Sequence, residues 1–209
     1  RNANGATATA NDSIVVNLPS ATPCPGQLFP DVPCNYWDYN AIQSLAQRGI
    51  VSGMDDHNFH PHDAVTRAQF AKMISIGSGW TLITPPTPHF SDVSANYWAY
   101  TFIETAYANG VISGYPDGSF QPSATLSRDQ LAKIIVLARG YDVYNPPTPS
   151  FNDVPSSYWA YGYIEQAHHL NIINGYPDGS FKPTAISKRD ELSAILYGAL
   201  NLVQPTPTP

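Results

Sequence analysis

The sequence predicts an all-α chain of three tandem helix-loop-helix units preceded by an extended arm, and three observations carry that expectation. Landmark residues recur at a constant spacing of 61: Phe29, Phe90 and Phe151; Asp31, Asp92 and Asp153; Trp37, Trp98 and Trp159; Arg67, Arg128 and Arg189. Between the landmarks, apolar residues follow a helical period rather than the alternation of strands. Glycine, asparagine and proline punctuate corresponding places in every unit. A repeat of this length marks units that each bury an apolar face against their neighbours.

Taken in chain order, residues 1–28 form the arm, with Ser13-Ile14-Val15-Val16-Asn17-Leu18 its one strand-like run. The three units follow at 29–83, 90–144 and 151–203, and a Pro/Thr tail occupies 204–209. In the second unit Trp98, Phe102, Ile103, Ala106 and Tyr107 lie on one helical face, and Gly110 ends the helix. Gly49 and Asn171 hold that position in the other units, and both residue types tolerate the left-handed conformation of a helix C-terminus. The loop that follows reads Gly-Tyr-Pro-Asp-Gly-Ser-Phe at 114–120 and again at 175–181, which is turn chemistry. In the first unit His57 replaces the turn glycine, so a positive φ there would cost about 1 kcal/mol.

A second helix opens at Thr66 and Ser127, with Gln69 and Gln130 placed to complete capping boxes. In the third unit Lys188 takes the cap position, and Ser187 is expected to cap one residue early. Arg67 and Arg128 stand at the first helical position, where a cation opposes the macrodipole. Two readings explain them. Free helix N–H groups and a bidentate guanidinium would together hold an anionic ligand. Alternatively, Arg pairs with the Asp of Phe-x-Asp-Val and locks the units together. The tryptophans likewise serve either as core or as ligand contacts. Thr84-Pro-Pro-Thr-Pro88 and Asn145-Pro-Pro-Thr-Pro149 are stiff, extended spacers.

Composition narrows the classes of function. Charged residues make up 12% of the 209-residue chain, about half the share usual in globular domains, while 20 residues are proline, about twice the usual share. Such a composition suits a secreted protein. A net charge of −6 argues against nucleic-acid and anionic-membrane partners. No apolar run approaches the roughly 20 residues of a membrane-spanning helix, so no membrane insertion is expected. The chain opens without a charged-then-apolar leader, as expected of a processed mature form or a segment of one. The two cysteines, Cys24 and Cys34, flank a short Pro/Gly-rich stretch and are expected to pair in an oxidising compartment. Loop residues His57, His60 and His62 lie beside turn-forming aspartates, and the turn reading outweighs a metal site. No nucleophile elbow, phosphate loop or paired-glutamate pattern occurs, so neither catalysis nor a cofactor is expected.

The order Phe-x-Asp-Val, then Trp-Ala-Tyr, helix, Gly-Tyr-x-Asp-Gly-x-Phe-x-Pro and Thr-Arg-Ala-Gln-Phe-Ala resembles the S-layer homology repeat, in triplicate over about residues 29–201. The resemblance implies a three-pronged, pseudo-threefold helical module on the bacterial cell surface. It also implies grooves that bind secondary cell-wall polysaccharide, often tipped by a pyruvylated sugar. On that resemblance the candidate polysaccharide-binding residues are Asp31, Trp37, Arg67, Asp92, Trp98, Arg128, Asp153, Trp159 and Arg189. The second unit keeps both its Gly-Tyr-Pro-Asp-Gly loop and a Ser-capped Arg, so Arg128 is expected to matter more than Arg67. The competing expectation is a self-assembling extracellular subunit, a homopolymer of lattice or filament form, in which the N-terminal arm contacts neighbouring copies.

Overall fold

A computed structural model describes residues 24–200. The strand-like run at 13–18, the inter-copy role of the arm and the Pro/Thr tail fall outside those residues. Six helices follow one another: α1 Tyr39–Gln47, α2 Arg67–Gly77, α3 Tyr100–Ala108, α4 Arg128–Ala138, α5 Tyr161–His169 and α6 Arg189–Ala199. Among the described residues there are no strands, only three isolated bridges.

Helices pack between units rather than within them. The close pairs are α2 with α3, α4 with α5, and α6 with α1, so the second helix of each unit lies on the first helix of the next and the third unit closes back on the first. The three bridges, Ala64 to Lys188, Thr66 to Thr125 and Ser127 to Ile186, join the segments just before the second helices. Backbone bonds form a closed cycle there: Val65 N–H donates to Ser187 O (3.1 Å), Ser187 N–H to Leu126 O (2.9 Å), and Leu126 N–H to Val65 O (2.8 Å). Val65 and Leu126 are fully buried at this junction. The pseudo-threefold arrangement is therefore a ring, with each unit's apolar face covered by a neighbour.

Local chemistry sets the ends of the elements. Gly49, Gly110 and Asn171 have φ of 70°, 72° and 55°, ending the first helices in the left-handed conformation. In the loop, His57 takes φ 66° where Gly118 and Gly179 take 79° and 78°, so the first unit adopts the same turn with a strained residue. Only α2 has the expected capping box, formed by Thr66 and Gln69. The expected box at Ser127 and Gln130 does not form. Ser127 Oγ instead donates to Asp129, whose Oδ1 also accepts the Gln130 N–H at 2.7 Å. Ser187 does not cap early either: its hydroxyl is buried without a partner, and Asp190 accepts the Glu191 N–H at 2.8 Å. An acid at the second helical position has displaced the hydroxyl, as the helix macrodipole favours. The Pro-rich spacers are fastened to the helix that follows, Tyr100 Oη donating to Pro85 O and Tyr161 Oη to Pro146 O, each at 2.7 Å. Cys24 and Cys34 are joined, with Cα atoms 5.9 Å apart.

Candidate functional site

Each repeated aspartate grips backbone. Asp31, Asp92 and Asp153 accept the N–H of Phe59, Phe120 and Phe181 through Oδ1 at 2.7–2.8 Å. Their Oδ2 atoms accept the next N–H, from His60, Gln121 and Lys182, also at 2.7–2.8 Å. Those three acceptor-bound residues have φ of 54°, 56° and 55°, a conformation costly for non-glycine residues and held here by the charged clamp.

The arginines close the same loops from the other side, one unit further on. Arg67 Nε donates to Phe120 O (2.8 Å) and its Nη2 to Ser113 O (2.9 Å). Arg128 repeats this with Phe181 O and Asn174 O, and Arg189 with Phe59 O and Ser52 O. Each guanidinium also lies over the ring of the phenylalanine whose carbonyl it binds, 4.3–4.7 Å from the centroid. The Phe backbone thus sits between its own unit's Asp and the preceding unit's Arg. Arg does lock the units together, but through carbonyls rather than by pairing with Asp: among the described residues no carboxylate lies within 4 Å of any of the three guanidiniums.

The helix N-termini are not free for a ligand, which corrects the expectation drawn from the position of Arg. The Arg67 and Ala68 N–H groups donate to Ala124 O and Pro122 O, and the corresponding pairs in α4 and α6 donate to Ala185, Pro183, Asp63 and Pro61. What remains is the guanidinium itself. Only two of its five N–H donors are used by carbonyls. Burial pushes the pKa of Arg67 and Arg189 down from the ordinary value, the sign of a cation short of solvent.

Two of these guanidiniums line open grooves. One groove, about 260 Å³, is bounded by Arg67, the 111–115 loop, Gln130, Lys133, Ile134 and Trp159. The other, about 230 Å³, has the same design one step around the ring: Arg189, the 50–54 loop, Gln69, Lys72, Met73 and Trp98. Every groove draws on three units: Arg from one, loop and second helix from the next, Trp from the third. The tryptophans are not core, with Trp37 63% exposed and Trp98 and Trp159 each 54% exposed. Lys133 Nζ stands 6.0 Å from the Trp159 ring centroid.

This geometry corrects the pairing expected from sequence. The intact loop of the second unit is served by Arg67, not by Arg128. Arg128 belongs to the third position around the ring, where the register places Ala194 in the slot of Lys72 and Lys133, and Glu191 in that of Gln69 and Gln130. Lys72 and Lys133 were not among the residues that repetition singled out. Their signal was present, a lysine five residues after Arg in two units and absent in the third, but nothing in the order of residues says that it meets a neighbour's Trp.

Fold and site together define a cyclic three-repeat helical module with recesses between its repeats. The family model "S-layer homology domain" matches residues 28–71, 89–132 and 150–192. The chain belongs to the S-layer homology domain family, a non-catalytic anchoring module of the bacterial cell surface. It is similar to "Exoglucanase XynX" of Acetivibrio thermocellus, at 37% identity over 182 residues, covering 82% of this chain and 16% of the relative. It also resembles the "Cellulosome-anchoring protein" of the same species, at 32% identity over 64% of this chain and 30% of the relative. A third relative is "S-layer protein sap" of Bacillus anthracis, at 31% identity over 72% of this chain and 19% of the relative. The chain therefore corresponds to less than a third of the length of each.

Proposed function

We propose that the module anchors a surface protein by holding an acidic secondary cell-wall polysaccharide, with a carboxylate-bearing sugar such as a pyruvylated residue seated on Arg67 or Arg189. The observation that carries this reading is a buried cation with no salt-bridge partner opening onto a groove. A guanidinium stripped of water, whose nearest carboxylates stand beyond salt-bridge distance with their oxygens on backbone N–H groups, gains from an anion that reaches it directly. Lys133 and Lys72 add a second positive charge at the same grooves, and Trp159 and Trp98 supply the exposed apolar face against which a pyranose ring packs. The Arg128 position lacks the lysine and contributes least. Asp31, Asp92 and Asp153 act on the fold rather than on the sugar in this reading, each carboxylate spending one bond per oxygen on backbone N–H groups of its own loop.

Titration with purified wall polysaccharide, native and stripped of its carboxylates, tests the proposal. Lys133 and Trp159 are groove-lining rather than interlocking, so Lys133→Ala and Trp159→Ala leave the ring intact. Each is expected to weaken binding of the native polymer by roughly tenfold or more, Lys133→Ala through the loss of about 1.5–3 kcal/mol for a charged contact and Trp159→Ala through the loss of the apolar face under the sugar. Loss of the polymer's carboxylates should lower affinity at least as far. Unchanged affinity in both folded variants would remove the grooves from the account.

A further inference from the structure

The three interfaces of the ring are built alike, but one differs in two respects. Peptide spacers connect the first unit to the second and the second to the third, whereas no chain link spans the seam between the third unit and the first. That seam also carries an acid the others lack. At the N-terminus of the first helix, the second and third units have Ala99 and Ala160, both fully buried; the first unit has Asp38.

Asp38 is 6% exposed, caps nothing with its side chain, and its Oδ2 is buried without a hydrogen-bond partner. The charged group that faces it across the seam is Asp190 at the start of α6, itself 4% exposed. Asp190 is occupied: its Oδ1 accepts the Glu191 N–H, its Oδ2 accepts Tyr36 Oη at 2.7 Å, and His62 Nδ1 approaches that oxygen at 3.4 Å. No basic side chain among the described residues lies within 4 Å of Asp38. The equivalent interface between the second and third units has Tyr158 bonded to Asp129 but Ala160 in place of the second acid. Between the first and second units Ala68 and Ala99 replace both acids.

We infer that Asp38, buried beside Asp190, forms a proton-dependent latch on the one seam of the ring that no peptide bridges, closed while Asp38 is protonated and loosened when it ionises. Two buried like charges cannot both be satisfied by one phenol and one exposed imidazole. Burial first, and the charge of Asp190 second, push Asp38 up to about 7. Tyr36 is not the switching group, because burial and its bond to Asp190 push it up to about 12. A carboxyl whose value is raised in the closed ring favours closure fully below the ordinary aspartate range, and that contribution is lost as pH rises through about 7. The Arg189 groove straddles this seam, through the Arg189 bonds to Phe59 and Ser52, whereas the Arg67 groove does not. Loosening the latch thus takes apart one groove and spares the other, a consequence that rests on the reading of the grooves given above.

The ring supplies its own controls for a test without any ligand. Amide hydrogen exchange of the whole chain, corrected for intrinsic rates, is followed at pH 5 and pH 8. The seam is reported by the N–H groups of Val65, Arg189 and Asp190, and the other two interfaces by those of Arg67, Ala68, Leu126, Arg128, Asp129 and Ser187. Protection at the seam is expected to fall relative to the others by roughly 10- to 90-fold, the upper figure being the linkage limit for an aspartate moving from its ordinary value to about 7. Asp38→Asn should abolish that difference. Asp38→Ala, the residue used at the other two interfaces, should do the same and serves if the asparagine variant fails to fold. Equal pH responses at all three interfaces, or a full response surviving in either variant, would overturn the latch.

Discussion

Replacing Asp92 separates a structural clamp from a sugar ligand. The Asp92 carboxylate holds the Phe120 N–H at 2.7 Å and the Gln121 N–H at 2.8 Å, the first bond to a buried residue, the second to an exposed one. Charge-assisted bonds of this kind contribute about 1.5–3 kcal/mol each, the exposed one falling at the low end because water can replace it. Asp92→Asn can keep one acceptor on the Phe120 N–H and turn its amide outward, at a cost of about 1.5–2 kcal/mol. Asp92→Ala loses both bonds and leaves the buried Phe120 N–H unpaired beside the φ 56° residue Gln121, at a cost of about 3–4 kcal/mol. In a domain of this size those losses correspond to melting points lowered by about 3–8 °C for Asn and 6–16 °C for Ala. Thermal denaturation followed by far-ultraviolet circular dichroism, with polysaccharide titration of the folded material, gives both readouts. Stability falling in the order wild type, Asn, Ala, with affinity unchanged in whatever remains folded, is the expected result. Wild-type melting combined with lost binding would refute the clamp and make Asp92 a ligand group.

Two further outcomes follow from packing and from covalent chemistry. Ser187 occupies the ring junction where the other units place Val65 and Leu126, with its hydroxyl unpaired, so Ser187→Val is expected to raise stability by about 1 kcal/mol in urea denaturation; a loss of stability would contradict the packing argument. Cys24 and Cys34 should both resist alkylation in unreduced protein and both react after reduction, as read by intact mass; reduction should cost about 2–3 kcal/mol, and two labelled cysteines without reductant would refute the bond.

The six helices, the ends of each unit's first helix and the three-unit organisation were legible in the sequence because they depend on short-range physics, although Trp98, expected on the face of α3, lies just before it. A period of 61 locates Gly49, Gly110 and Asn171 at equivalent helix ends, and left-handed φ at those residues follows from their side chains alone. The turn at His57 was legible for the same reason, its geometry fixed by comparison with Gly118 and Gly179. The caps at Ser127 and Ser187 were not, since Asp129 and Asp190 compete for the same ends and their choice depends on Tyr158 and Tyr36 arriving from another unit. The candidate site divides along the same line. Repetition singled out Asp, Trp and Arg, but it took the folded ring to show that Asp grips backbone, that Trp stands in solvent, and that each Arg serves the next unit's loop. Partners 46 and 53 residues away in sequence, as for Arg67 with Ser113 and Phe120, are set by how the ring closes. Closure depends on burying apolar surface among three units at once, a many-body condition that spacing along one chain does not encode.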